Sequence, residues 1–146
     1  MKLNRLTRYE IELANLISNS GNGLHCERIA GSGRRISSVC DCIMTLGKDA
    51  YFIELKTTKN SFIRINGKIR VQLQRLFDFC NANGCNSPLL VIKFLRRGFV
   101  FIKLTELPKK IDYYDNNKDA ITIREFILSN CKISGVSFDG VTKVMC

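Results

Sequence analysis

Histidine is almost absent from this sequence, since His25 is the only one in 146 residues. Imidazole is a common zinc ligand, so this scarcity argues against a zinc site. We expect His25 to lie at the surface or at the edge of a sheet. The seven cysteines are odd in number and match no disulfide spacing, which indicates reduced, mostly buried thiols in a cytosolic protein.

Long apolar stretches are missing as well. No run approaches the about 20 residues that a membrane-spanning helix needs. The first residues also lack the apolar region of a signal peptide. The chain has no internal repeat, linker or low-complexity segment. From its length and its 45% apolar composition, we expect one domain, residues 1–146, with its own core, located in the cytoplasm and without a membrane partner.

Acidic residues are few compared with basic ones. The 23 Lys and Arg residues exceed the 13 Asp and Glu residues by ten, which gives a net charge of +10. A surplus of this size favours a polyanionic partner such as nucleic acid. The alternative is a protein that is merely basic.

What the chain does have is a charged pattern within residues 39–58. We interpret this stretch as two strands joined by a tight turn at Leu46-Gly47-Lys48-Asp49. Because strand side chains alternate between faces, Phe52, Glu54 and Lys56 share one face of the second strand. A charged pair inside an apolar strand is costly to bury unless it is paired or bound to a ligand.

The turn can bring Asp41 of the first strand beside Glu54 of the second. Two neighbouring carboxylates repel each other unless a cation lies between them, and such oxygen ligands suit Mg²⁺ or Mn²⁺. Lys56 is a point charge suited to a phosphate oxygen. The spacing resembles the metal-dependent nucleases of the PD-(D/E)xK superfamily, with Cys40 in place of the proline. The alternative is a solvated hairpin edge with three incidental charges.

The segments before this hairpin add two candidates. Residues 6–19 predict an amphipathic helix in which Glu10 points toward the buried side; the alternative is that Glu10 forms a capping box with Thr7. A short strand at residues 24–29 leads into the basic loop Ala30-Gly31-Ser32-Gly33-Arg34-Arg35. Small residues let a backbone approach a phosphate, although the loop is neither a P-loop nor a dinucleotide-binding fingerprint. The alternative is an ordinary surface loop.

The remaining elements follow from periodicity and turn residues. We expect a helix at 67–82, a buried strand at 89–94 and another strand at 99–104. A polar loop at 108–118 and a short helix at 120–129 follow. The tail, residues 131–146, gives no clear pattern.

The order of the motifs along the chain resembles the archaeal Holliday junction resolvases. The motifs are Tyr9-Glu10-Ile11-Glu12-Leu13, Arg28-Ile29-Ala30-Gly31-Ser32, Asp41 and Glu54-Leu55-Lys56. With the hairpin of residues 89–104, the resemblance covers roughly residues 6–106. It implies an α/β fold with a central mixed β-sheet flanked by helices, a restriction-endonuclease-like nuclease core. It also implies a homodimer that cuts four-way DNA junctions with a divalent metal.

The resemblance assigns roles by matching position. Glu10, Asp41 and Glu54 would hold Mg²⁺, for which Mn²⁺ can substitute. Lys56 would stabilise the charge that develops during cleavage, and Ser32 would act from a mobile catalytic loop. No histidine is placed to serve as a general base.

The DNA contacts are less complete than in the family pattern. Arg28 is implied as a contact to the DNA backbone, and we expect Arg34 and Arg35 of the basic loop to bind DNA as well. Ile11 stands where some members carry arginine. The segment from Arg34 to Cys40 is longer than in the shortest members, and the part beyond about residue 106 matches poorly.

Three functions remain open from the sequence. The first is a junction-resolving endonuclease of recombination and repair. The second is a related nuclease for nicked, branched or foreign DNA, and the third is a catalytically inactive DNA-binding module of the same fold. The intact acidic residues and Lys56 argue against the third, and the chain has little room for a base-reading domain.

Paired cutting of a four-way junction predicts a twofold homodimer. The helix at 67–82 carries Leu76, Phe77 and Phe79 on more than one face. We therefore expect Leu76 or Phe79 to remain outside the core as an apolar patch at the interface. The alternative is that the C-terminal tail covers this helix.

Overall fold

The computed structural model describes residues 5–19, 23–29, 40–113 and 120–121. Its helices are α1 (Arg5–Ser18) and α2 (Gly67–Ala82). Its strands, in chain order, are β1 (Leu24–Arg28), β2 (Cys42–Leu46), β3 (Asp49–Thr58), β4 (Phe62–Arg64), β5 (Leu89–Phe94), β6 (Gly98–Lys103), β7 (Lys110–Asp112) and β8 (Ala120–Ile121). No helix among the described residues is long and apolar enough to cross a membrane.

Six of the strands form one mixed sheet in the order β1-β2-β3-β5-β6-β8. The central pair, β3 and β5, is parallel, and the other neighbours are antiparallel. A parallel pair needs a crossover connection, and here that connection contains α2. Strands β4 and β7 form a separate two-stranded sheet. The predicted α/β architecture with a mixed sheet and flanking helices is confirmed.

Alternation along β3 assigns its side chains to two different cores. Tyr51, Ile53 and Leu55 belong to the cluster that contains Leu13 and Ile17 of α1. Phe52 on the opposite face packs against a second cluster, which includes Leu76 of α2. The two helices therefore cover opposite faces of the sheet, and the odd and even positions of β3 are buried by different partners.

The hairpin of β2 and β3 forms as predicted. Its turn contains Gly47 with a φ of +58°, a left-handed conformation that glycine adopts without steric cost. Cys42 pairs with Ile53, and Leu46 pairs with Asp49. This register places the start of β2 beside the middle of β3, where the charged residues lie.

His25 and the cysteines also agree with the sequence analysis. His25 is exposed on β1, the terminal strand of the sheet order, and its Nε2 lies 2.7 Å from Glu27 Oε1. All five cysteines in the described parts of the chain are free thiols, and four of them are buried.

Three local predictions are wrong. Helix α1 begins at Arg5, so Thr7 lies inside the helix and is not its N-cap. Ala120 and Ile121 form β8 by pairing with β6 and not the start of a helix. Residues 110–112, within the expected polar loop, form β7, because Ile111 pairs with Ile63 and is completely buried against the α2-side core.

We expected Leu76 or Phe79 to remain outside the core, and Leu76 does not. Leu76 is completely buried and shares a cluster with Cys40 and Cys80. Phe79, the other candidate, is half-buried and makes an edge-to-face contact with Phe52, with ring centroids 5.6 Å apart. Residues 131–146, the predicted tail, lie outside the described residues.

Candidate active site

Asp41 is held by three backbone contacts at the beginning of β2. Its N–H donates to the carbonyl of Ile53 at 2.9 Å, and its carbonyl accepts from the N–H of Ile29 at 2.8 Å. Its side-chain Oδ2 accepts from the N–H of Leu55 at 2.8 Å. The carboxylate is thus fixed against the middle of β3, with the residue only 7% exposed. The predicted proximity of Asp41 and Glu54 follows from this arrangement.

Glu54 and Lys56 lie on the same face of β3, as the period of two predicts. Lys56 Nζ is 3.2 Å from Glu54 Oε1, and the Glu54 residue is 8% exposed. Burial and, to a smaller extent, the nearby charge of Asp41 raise the pKa of Glu54 to about 7, and Lys56 opposes this shift. Near neutral pH, this carboxyl group is poised between its two protonation states.

Glu10 reaches the same region from α1. Its residue is only 4% exposed, and its Oε2 accepts a hydrogen bond from Arg28 Nε at 2.7 Å. Burial raises the pKa of Glu10; the charge of Asp41 acts in the same direction, and Arg28 opposes both. Glu10 therefore lies within reach of the charge of Asp41, and its role as a metal ligand stays a prediction.

The donor set fits a divalent cation by its chemistry. Buried carboxylates in mutual repulsion are the groups whose ionised forms a cation stabilises, and carboxylate oxygen is the ligand preferred by Mg²⁺ and Mn²⁺. In the described part of the chain, however, no three Asp, Glu, His or Cys side chains are arranged as a metal site. Glu10 is directed toward Arg28, Glu54 toward Lys56, and Asp41 toward the amide of Leu55.

The loop candidates are not part of this description. Ser32, Arg34 and Arg35 lie outside the described residues. Arg28, the remaining predicted DNA contact, lies at the end of β1 and is half-buried beside Glu10. Its role toward DNA stays a prediction.

One polar residue near the site was missed by the sequence analysis. Gln72 of α2 accepts a hydrogen bond from Lys56 Nζ through Oε1. In the sequence, it is one of several polar residues on an amphipathic helix, 16 positions after Lys56. Nothing in its local pattern signals the contact, because the contact depends on how α2 docks on the sheet.

Comparison with known proteins supports the resemblance found in the motifs. A family model described as archaeal Holliday junction resolvase (Hjc) matches residues 1–133, which is more of the chain than the predicted residues 6–106. No curated protein sequence matches the chain.

Among solved structures, the chain is similar to Archaeoglobus fulgidus Hjc, described as a Holliday junction resolvase from an archaeal hyperthermophile. The TM-score is 0.60 at 23% sequence identity, covering 84% of this chain and 98% of the other. This likeness supports the fold, and the family model supports the assignment over nine-tenths of the length. The chain therefore belongs to the archaeal Holliday junction resolvase family and is a nuclease.

Proposed function

We propose that the protein resolves four-way DNA junctions in recombination and repair by paired, Mg²⁺-dependent phosphodiester hydrolysis, with Mn²⁺ able to substitute. The observation that carries the proposal is the buried group of Asp41, Glu54 and Glu10 with Lys56 beside it. Family membership points to the junction as substrate. The net charge of +10 suits the density of phosphates at a junction.

Asp41, Glu54 and Glu10 would hold the metal ion. When bound, a divalent ion supplies Lewis acidity toward the phosphodiester and lowers the pKa of water. The raised pKa values of Glu54 and Glu10 support this assignment, since a cation would remove the repulsion that contributes to both shifts. Asp41 contributes an oxygen already oriented by the Leu55 amide.

Lys56 provides the fixed positive charge at the reacting phosphate. Its ammonium is beside Glu54, where it can stabilise negative charge developing on the phosphate oxygens. Ser32 would act from the loop that follows β1, and Arg28, Arg34 and Arg35 would bind the DNA backbone. These four assignments rest on the family pattern.

A twofold homodimer would supply the two active sites that paired cuts require. The candidate contact surface is the half-buried apolar band of Ile43, Phe52 and Phe79, which lies along the outer edge of the cluster around Leu76. The rings of Phe79 and Phe52 meet edge to face there, and both residues are only partly buried. Aromatic rings of this kind are enriched in interface cores.

The test is cleavage of a synthetic four-way junction beside nicked, forked and linear duplexes of the same sequence, with and without Mg²⁺. We expect paired cuts in the junction, and only with the metal. Asp41→Asn and Glu54→Gln should abolish cutting while junction binding is largely kept, because the carboxylates serve the metal and the basic surface is unchanged.

Glu106→Gln is the matched control, since Glu106 is an exposed carboxylate and the change removes the same charge. It should cut at the wild-type rate. Near wild-type cutting by Asp41→Asn or Glu54→Gln in saturating Mg²⁺ would contradict the metal-site assignment. Preference for the nicked, forked or linear duplex over the junction would contradict the proposed substrate.

A further inference from the structure

Lys56 has two acceptors in the structure, and only one of them is a carboxylate. Glu54 Oε1 lies 3.2 Å from Lys56 Nζ, and the amide Oε1 of Gln72 accepts a hydrogen bond from the same nitrogen. The second contact joins α2 to the functional face of β3. It is made by a residue that the family motifs described above do not include.

The position of Gln72 is fixed by the packing of its helix. Leu73 and Leu76 of α2 are completely buried, and they belong to the two clusters that fill this side of the sheet. Leu76 shares its cluster with Cys40, the residue immediately before Asp41. The helix phase that buries these leucines therefore also presents Gln72 to Lys56.

A lysine side chain needs such an anchor to act from one position. Its ammonium is a point charge on a flexible four-carbon stem, and much rotamer entropy is lost when it is fixed. Glu54 alone is a poor anchor if it also serves as a metal ligand, because its oxygens are then shared with the cation. An amide oxygen accepts a hydrogen bond from the ammonium group without cancelling the positive charge that Lys56 presents to a phosphate.

We propose that Gln72 is a positioning residue that holds the Lys56 ammonium at the reacting phosphate. The inference rests on the proposed nuclease function and extends it to a residue on α2. It predicts that Gln72 affects the chemical step through Lys56 and contributes little to junction binding.

The first test is Gln72→Ala, measured by single-turnover cleavage and by junction affinity in Ca²⁺ or without metal. We expect cleavage to slow about tenfold, the effect of losing one hydrogen bond to a charged group, with the dissociation constant unchanged. Alanine favours the helix, so the variant should remain folded.

Gln74→Ala is the matched control. Gln74 is an exposed glutamine on the same helix, and its Nε2 donates to Asp78 Oδ1 at 2.9 Å. The Gln74→Ala variant therefore loses a contact within the helix and leaves the hydrogen bond to Lys56 unchanged. We expect wild-type rate and affinity. Equal slowing by both variants would mean that α2 acts through general stability, and would overturn the inference.

The decisive measurement is the double variant with Lys56→Ala. If Gln72 acts through Lys56, then Gln72→Ala causes no further slowing once Lys56 is gone. If the double variant is slowed by the product of the two single effects on the cleavage rate, the inference is overturned. A wild-type protein that leaves junctions uncut would overturn the proposed function and this inference with it, whereas full-rate Gln72→Ala beside an active wild type would overturn this inference alone.

Discussion

Replacing Glu54 with glutamine should stabilise the protein at alkaline pH when divalent metal is removed by EDTA. Folding raises the pKa of Glu54 from 4.5 to about 7, mainly by burial. Because about 1.4 kcal/mol corresponds to each pKa unit, ionising this group in the folded state costs about 3 kcal/mol relative to the unfolded chain. Glutamine keeps the shape of the side chain and never carries that charge.

The sign of the pH dependence follows from the raised pKa. The folded state binds the proton more tightly, so this contribution to stability is fully present below pH 4.5 and is lost as the pH rises through about 7. Glu54→Gln should therefore nearly equal the wild type in stability at about pH 4 and exceed it by about 3 kcal/mol at about pH 8.

Urea unfolding followed by circular dichroism at the two pH values measures this difference. Glu106→Gln, the exposed control, should change stability little at either pH. A Glu54→Gln variant no more stable than wild type at the higher pH would refute the reasoning. A gain of equal size at both pH values would show that ionisation of Glu54 is not its cause.

Four further outcomes are expected. Saturating Mg²⁺ should raise the stability of the wild type in urea but not that of Glu54→Gln, since a ligand stabilises only the state that binds it. Lys56→Ala should slow single-turnover cleavage by on the order of 3 kcal/mol in activation free energy. Ser32→Ala should lower the cleavage rate more than it lowers junction affinity. If either variant lost affinity at an unchanged cleavage rate, that residue would be a DNA contact without a catalytic role. The logarithm of junction affinity should fall with the logarithm of salt concentration, with a slope of roughly −0.9 per phosphate contact. Affinity that does not change with salt would contradict DNA binding through a basic surface. Phe79→Asp should dissociate the dimer in a sedimentation experiment and reduce paired cutting more than single nicking. Val71→Asp, at a position that is 60% exposed, should do neither. A protein that is monomeric at micromolar concentration and still makes paired cuts would contradict the dimer.

Predictions based on local periodicity agree well with the structure. The pattern of alternating side chains placed Glu54 and Lys56 on one face of β3, and the turn residues around Gly47 gave the hairpin. The apolar stripe and the terminal Asn83-Gly84 gave the bounds of α2. In each case the information lies within a few neighbouring residues, because strand and helix periods and turn chemistry act over that distance.

Predictions that required knowledge of distant partners were less complete. The strand β7 was predicted to be part of a loop, because its single buried residue, Ile111, is surrounded by polar residues in the sequence and becomes buried only through pairing with β4. The sequence did not decide which of Leu76 and Phe79 remains outside the core; Leu76 packs against Cys40, in the segment that precedes the functional hairpin. No local pattern contains these contacts.

The sequence by itself determined the residues of the candidate site: three acidic residues and a lysine in an order that matches a nuclease family, two of them on one strand face. Tertiary structure decided how those groups meet. It paired Glu10 with Arg28 across 18 residues and joined Lys56 to Gln72 across 16. The physical reason is that burial and charge at a site depend on which distant segments pack together, and these determine both the raised pKa of Glu54 and the partner of Lys56.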